Sequence, residues 1–141
     1  MPDPRIAKLA DVLITHSTKL QPGESVFIET FDVPDEVVTT LLDRVVQAGG
    51  VPYVETRSNR VLRTLYKTAT EPQMQAIGEH ELRRMEGMQA YIAIRGSSNA
   101  LEMSDVPADQ MKLYQTHWWK PVADYRINKT KWVVLRYPSP A

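Results

Sequence analysis

Ser25-Val26-Phe27-Ile28-Glu29-Thr30, then Asp32-Val33-Pro34-Asp35-Glu36, then Gly49-Gly50-Val51-Pro52-Tyr53-Val54-Glu55-Thr56 are the segments whose reading decides the fold. The first run is short, β-branched and aromatic, the pattern of a strand. Asp32 or Val33 near a cap, a proline in the first turn and two acids that complement the helix dipole predict a helix start. Val37, Leu41, Leu42, Val45 and Val46 carry an apolar stripe to the Gly49-Gly50 stop. The last run is a second strand, with Pro52 near its beginning, where a strand tolerates it. Strand, helix and strand in immediate succession call for a crossover and therefore a parallel pair.

The same logic extends outward. Asp3 or Pro4 opens a helix to about Leu20, striped by Ile6, Leu9, Ala10, Leu13 and Ile14 and ended by Gln21-Pro22-Gly23-Glu24. Helices are predicted from Asn59 to Ala69 and from Glu71 to about Glu86, and Gln89 to Arg95 is a third strand with Gly96-Ser97-Ser98-Asn99 as its exit loop. Val106-Pro107 begins a helix to about Asp124, Tyr125 to Thr130 reads as loop, and Lys131 to Tyr137 as a buried fourth strand. The expected fold is α/β, a three-layer sandwich with a four-stranded, mainly parallel sheet flanked by helices that cover both faces.

Composition narrows the function classes. At 141 residues the chain holds one domain with room for an ordinary core, and 43% hydrophobic with 24% charged residues is the balance of a globular protein. Seventeen basic and seventeen acidic side chains cancel, which removes the overall electrostatic case for nucleic acid or an anionic membrane. The absence of cysteine excludes disulfides, thiolate metal sites and thiol nucleophiles, and fits a reducing, cytoplasmic setting. The start, Met1-Pro2-Asp3-Pro4-Arg5, has no apolar leader, and no apolar stretch approaches the roughly 20 residues of a membrane span.

Metal and nucleotide signatures are not legible. His16, His80 and His117 sit on different predicted helices, and His80-Glu81 lacks a second histidine at Arg84, so Glu79, His80, Glu81 and Glu86 read as a solvated helix face. Thr30-Phe31-Asp32-Val33-Pro34, where a phosphate loop would lie, has no glycine and carries negative charge.

Two constellations remain. Arg95, Ser97, Ser98 and Asn99, with Gly96, join a cation, hydroxyls and an amide at a strand C-terminus, a loop suited to a small anion or a peptide end; the alternative is a turn capping a short helix from Ala100. His117-Trp118-Trp119-Lys120 is the densest aromatic cluster. Adjacent tryptophans on a helix point about 100° apart, so Trp118 and Trp119 are interface candidates, one packing on the sheet and the other meeting a domain or subunit; a core-only role is the alternative. Lys112, Lys120, Arg126, Lys129 and Lys131 form a modest basic excess that coats a loop surface.

Taken whole, the chain resembles the N-terminal domain of the thermophilic metallo-aminopeptidase family, the leucyl-type AmpS/AmpT group. The resemblance rests on Asp3-Pro4-Arg5 before the first helix, Leu20-Gln21-Pro22-Gly23-Glu24-Ser25-Val26 entering the first strand, Ala48-Gly49-Gly50-Val51-Pro52-Tyr53-Val54 entering the second, and the run from Lys131-Trp132 through Tyr137-Pro138 to Ala141. These are turn and packing signatures spread along nearly the whole chain, and none is catalytic.

The resemblance implies a metal-dependent enzyme that removes N-terminal residues from peptides, with a divalent metal, cobalt or zinc, held by a second domain. No position here matches a metal ligand of the family. The expectation is therefore a non-catalytic domain over residues 1–136 and the start of a connector over 137–141, with the catalytic domain absent and the fragment itself inactive and metal-free. Expected partners are its own C-terminal catalytic domain, a peptide substrate of the full-length enzyme and a second copy in a homodimer, with no nucleic acid and no membrane. Thr30 to Pro34, Arg95 to Asn99 and Tyr137 to Ala141 are the loops expected to face the substrate cavity. A stand-alone anion- or peptide-binding module and a structural interaction domain are the alternatives.

Overall fold

The computed structural model describes residues 3–96 and 103–138. The chain opens with α1 (Pro4–Val12), capped by the Asp3 carboxylate, which accepts from the Arg5 N–H. The helix continues as a wide π turn, Leu13–Ser17. β1 (Ser25–Phe31) leads to α2 (Asp35–Gln47) and β2 (Val51–Arg57). Two helices follow, α3 (Asn59–Lys67) and α4 (Glu71–Glu86), before β3 (Ala90–Arg95). The last crossover is α5 (Ala108–Tyr114), a second π turn (Gln115–Trp119) and α6 (Lys120–Lys129), which delivers the chain to β4 (Lys131–Arg136).

Among the described residues the sheet has four strands in the order β2-β1-β3-β4, all parallel. The chain steps from β1 outward to β2, then crosses back over β1 to β3 and continues to β4. Right-handed crossovers in opposite directions place their helices on opposite faces. α1 and α2 accordingly cover one face, packing Ile6, Ala10, Ile14, Val37, Leu41 and Val45 on Val26, Ile28, Ile92 and Ile94. On the other face Leu62, Tyr66, Met74, Met85, Trp118 and Val122 pack on Phe27, Phe31, Tyr91 and Ala93. Each fully buried aliphatic or aromatic side chain contributes about 1.5–3 kcal/mol. The three-layer α/β sandwich expected from the sequence is the fold observed.

Several local expectations change. Pro34 is the cap of α2 and not part of its first turn, because Asp32 adopts a left-handed conformation (φ 55) that turns the chain before the proline. Tyr125 to Thr130 is not a loop: α6 runs to Lys129, anchored by Val122 and Ala123 in the core. β4 is not buried on both sides. Val133 and Leu135 pack against the α1 layer, but Trp132 and Val134 are 45% and 42% exposed. β4 is an edge strand of the sheet. β2, the opposite edge, likewise leaves Val51, Tyr53 and Val54 exposed.

Gly78, at the middle of α4, has a specific reason. A Cβ there would lie 1.9 Å from the His117 carbonyl oxygen, so its absence lets α4 pack directly on the second π turn.

Candidate functional site

Alternation along β1 turns Phe27, Glu29 and Phe31 toward the α3–α6 layer, so a carboxylate enters an otherwise apolar interface. An unpaired carboxylate there would cost several kcal/mol. Glu29 is instead held twice over: Arg57 Nε donates to its Oε2 at 2.6 Å, and the Tyr91 hydroxyl donates to its Oε1 at 2.5 Å. Arg57, at the end of β2, also reaches across with Nη2 to Glu81 Oε1 on α4, at 3.1 Å. Arg84, one turn on, pairs with the second Glu81 oxygen and, through Nη1, with Glu55 at 2.9 Å. The result is a chain of alternating charge, Glu29, Arg57, Glu81, Arg84 and Glu55, running between the sheet and α4.

Aromatic faces support the guanidinium groups. Arg84 lies 4.2 Å from the Phe27 ring centroid, Arg126 of α6 lies 4.3 Å from that of Tyr91, and Arg95 lies 4.7 Å from that of Phe31. Tyr66, Tyr114 and Trp118 form a mutually packed trio, with centroid separations of 4.2, 5.2 and 5.8 Å. The hydroxyls of Tyr66 and Tyr114 are hydrogen-bonded to each other.

The protonation states follow from these contacts. Burial acts to lower the Arg57 pKa, but the Glu29 and Glu81 carboxylates outweigh it and raise it, so the guanidinium stays charged. Burial, reinforced by the Glu29 charge, pushes the Tyr91 hydroxyl well above the usual phenol range and keeps it a donor. Burial raises Tyr66 and Tyr114 in the same direction.

These side chains enclose a cavity of about 60 Å³ bounded by Glu29, Arg57, Glu81, Arg95, Tyr114 and Arg126. It lies near the carboxyl ends of β1, β2 and β3, where the chain has left β1 for one side of the sheet and β3 for the other. Such switch points are where open α/β sheets place ligands. The exits of β1 and β2 are tied together: the Asp32 N–H donates to the Arg57 carbonyl at 3.0 Å, and Asp32 Oδ2 accepts from the Asn59 N–H at 3.2 Å. Outside the cavity a groove of about 560 Å³ shares Arg95, Met111, Tyr114 and Trp119 with it.

Arg95 therefore lies at the site. Ser97, Ser98 and Asn99 fall outside the described residues. Gly96 serves backbone packing: a Cβ would come within 2.1 Å of the Asp32 carbonyl oxygen, and its N–H donates to the Phe31 carbonyl at 2.7 Å. Trp118 is 8% exposed and part of the aromatic trio, whereas Trp119 is 44% exposed and forms a wall of the groove.

The sequence reading missed the charge network and misplaced one of its members, Glu81, and the adjoining Arg126. Glu81 is not on a solvated face. It shares the buried stripe of Met74, Gly78 and Met85, whose spacing of four, three and four residues contains the signal. Arg126 does not coat a loop, because α6 continues past it and turns it onto Tyr91. A glutamate in the middle of Val26-Phe27-Ile28-Glu29-Thr30 was the clearest hint, since a charge in a covered strand must find a partner.

The donor set does not fit a divalent metal. Glu29, Glu81 and Glu55 are each engaged by a guanidinium. His16, His80 and His117 are on separate helices, and His117 faces Glu71 at 3.8 Å. Among the described residues no three His, Asp or Glu side chains converge.

Comparison with known proteins gives a consistent picture. The family model described as thermophilic metalloprotease (M29) matches residues 2–141. The fold is similar to that of wild-type AmpT from Thermus thermophilus, with a TM-score of 0.71 and 19% identity, covering 94% of this chain. The chain spans 35% of the length of that structure. No curated protein matches.

Proposed function

Because the chain belongs to the thermophilic metalloprotease family M29, we propose that it is the non-catalytic N-terminal domain of a metal-dependent aminopeptidase. The observation that carries this reading is the arginine pairing of every carboxylate in the buried network, which leaves none of them free to ligate a cation. The divalent metal, cobalt or zinc, then belongs to a further domain of the longer protein. The matched span, about a third of the AmpT structure, agrees with that division.

In this account residues 1–136 form the domain and 137–141 begin a connector to the catalytic part. The principal partner is that catalytic domain, with peptide as the substrate of the whole enzyme, a homodimer as its assembly and the cytoplasm as its location. Nucleic acid has no place in it, in keeping with the balanced charge. A membrane has none either, and among the described residues no helix is long and apolar enough to cross one.

Metal retention tests the assignment. The purified chain, incubated with cobalt or zinc and then dialysed, is expected to keep no stoichiometric metal by elemental analysis. One tightly held ion per chain, lost in Glu29→Gln or Glu81→Gln, would overturn it.

A further inference from the structure

Among the described residues the charges around the cavity do not balance. Three guanidiniums, Arg57, Arg95 and Arg126, face two carboxylates, Glu29 and Glu81; Arg84 and Glu55, which extend the network, add one of each sign. Arg57 is spent on both glutamates at 2.6 and 3.1 Å. Arg126 lies over the Tyr91 ring, has among the described residues the single carboxylate partner Glu29 at 4.0 Å, and its Nε has no hydrogen-bond partner there although it is buried. Arg95 has no carboxylate partner among the described residues and rests only on the Phe31 ring. The surplus positive charge thus sits between Arg95 and Arg126, both close enough to act electrostatically on the Tyr91 and Tyr114 hydroxyls.

We propose that this pocket binds a single carboxylate, the one carried at the C-terminal end of a short peptide, with Arg95 and Arg126 as its cationic seat and the adjoining groove as the berth of the preceding side chain. Guanidinium groups pair bidentately with a carboxylate and lose less on desolvation than ammonium groups do. The cavity of about 60 Å³ has room for a group of carboxylate size, since one water needs only about 10–15 Å³ of such space. One surplus positive charge neutralises one carboxylate. A phosphate group, at about −1.5 to −2, would leave excess negative charge against Glu29 and Glu81. Met111, Tyr114 and Trp119 give the groove an apolar, aromatic wall suited to a side chain. Arg95 stands where cavity and groove meet, so it reads the carboxylate at the entrance. The choice of a peptide rests on the aminopeptidase reading; the carboxylate seat stands on the charge geometry alone.

The test uses the chain itself and its tryptophan fluorescence, to which Trp118 and Trp119 at the pocket contribute, titrated with N-acetyl-leucine, its amide and inorganic phosphate. Saturable binding of the acid is expected, with the amide and phosphate each weaker by roughly tenfold or more, as loss of a charge-assisted contact implies. Arg95→Gln should weaken the acid by a similar factor, and Arg95→Lys should recover only part of it. Equal affinity for acid and amide, tighter binding of phosphate, or an unchanged affinity in Arg95→Gln would each overturn the proposal. No turnover is read, so a failure here leaves the domain assignment standing.

Discussion

Arg57 is the residue on which the buried network turns, because it alone among the described residues bridges Glu29 on the sheet to Glu81 on α4. Glu29 and Arg57 are each 12% exposed, so water screens their pairing little. Arg57→Met is expected to destabilise the domain by about 3–5 kcal/mol in urea unfolding, the cost of leaving buried charge uncompensated. The loss should shrink when Glu29→Gln and Glu81→Gln are added, since the apolar replacement then strands no carboxylate. A single-variant loss below about 0.5 kcal/mol, the size of an ordinary surface change, would show that the network is not held as described.

At the scale of elements, the strands and the helical crossovers between them were legible because apolar runs and glycine or proline stops alternate cleanly, from Ser25-Val26-Phe27-Ile28 to Gly49-Gly50-Val51, whereas the lateral strand order β2-β1-β3-β4 leaves no mark in any local pattern. Helix faces were less so. Lys120 to Lys129 carries only Val122 and Ala123 into the core, so its weak apolar periodicity hid the last turn of α6 and with it the position of Arg126. Glu81 was hidden for the opposite reason: its polar neighbours Glu79 and His80 mark a solvent face, although its own spacing from Met74, Gly78 and Met85 places it inward. The residues of the anion pocket come from β1, β2, β3, α4, α5 and α6, and no local pattern brings such residues together. Gly78 provides a test at this scale. Alanine favours a helix interior by about 1 kcal/mol over glycine, yet Gly78→Ala should destabilise by about 1–3 kcal/mol because the new methyl meets the His117 carbonyl. A thermal midpoint equal to or above that of the parent would remove the direct contact between α4 and the π turn.

The whole molecule is a parallel α/β sandwich whose two faces are unlike. One holds an apolar layer under α1 and α2, and the other a charge network and an arginine-rich cavity at the strand ends. Under the proposed function, a domain of the M29 family whose buried carboxylates are paired with arginines would frame and hold, and the hydrolytic metal would lie elsewhere in the longer enzyme. The exposed apolar residues of β2 and β4 lie at the two edges of its sheet. The most direct measurement is hydrolysis of a leucyl anilide by the purified chain with cobalt or zinc added. The account predicts no turnover above the metal blank, whereas activity that co-elutes with the chain and follows its concentration would contradict it.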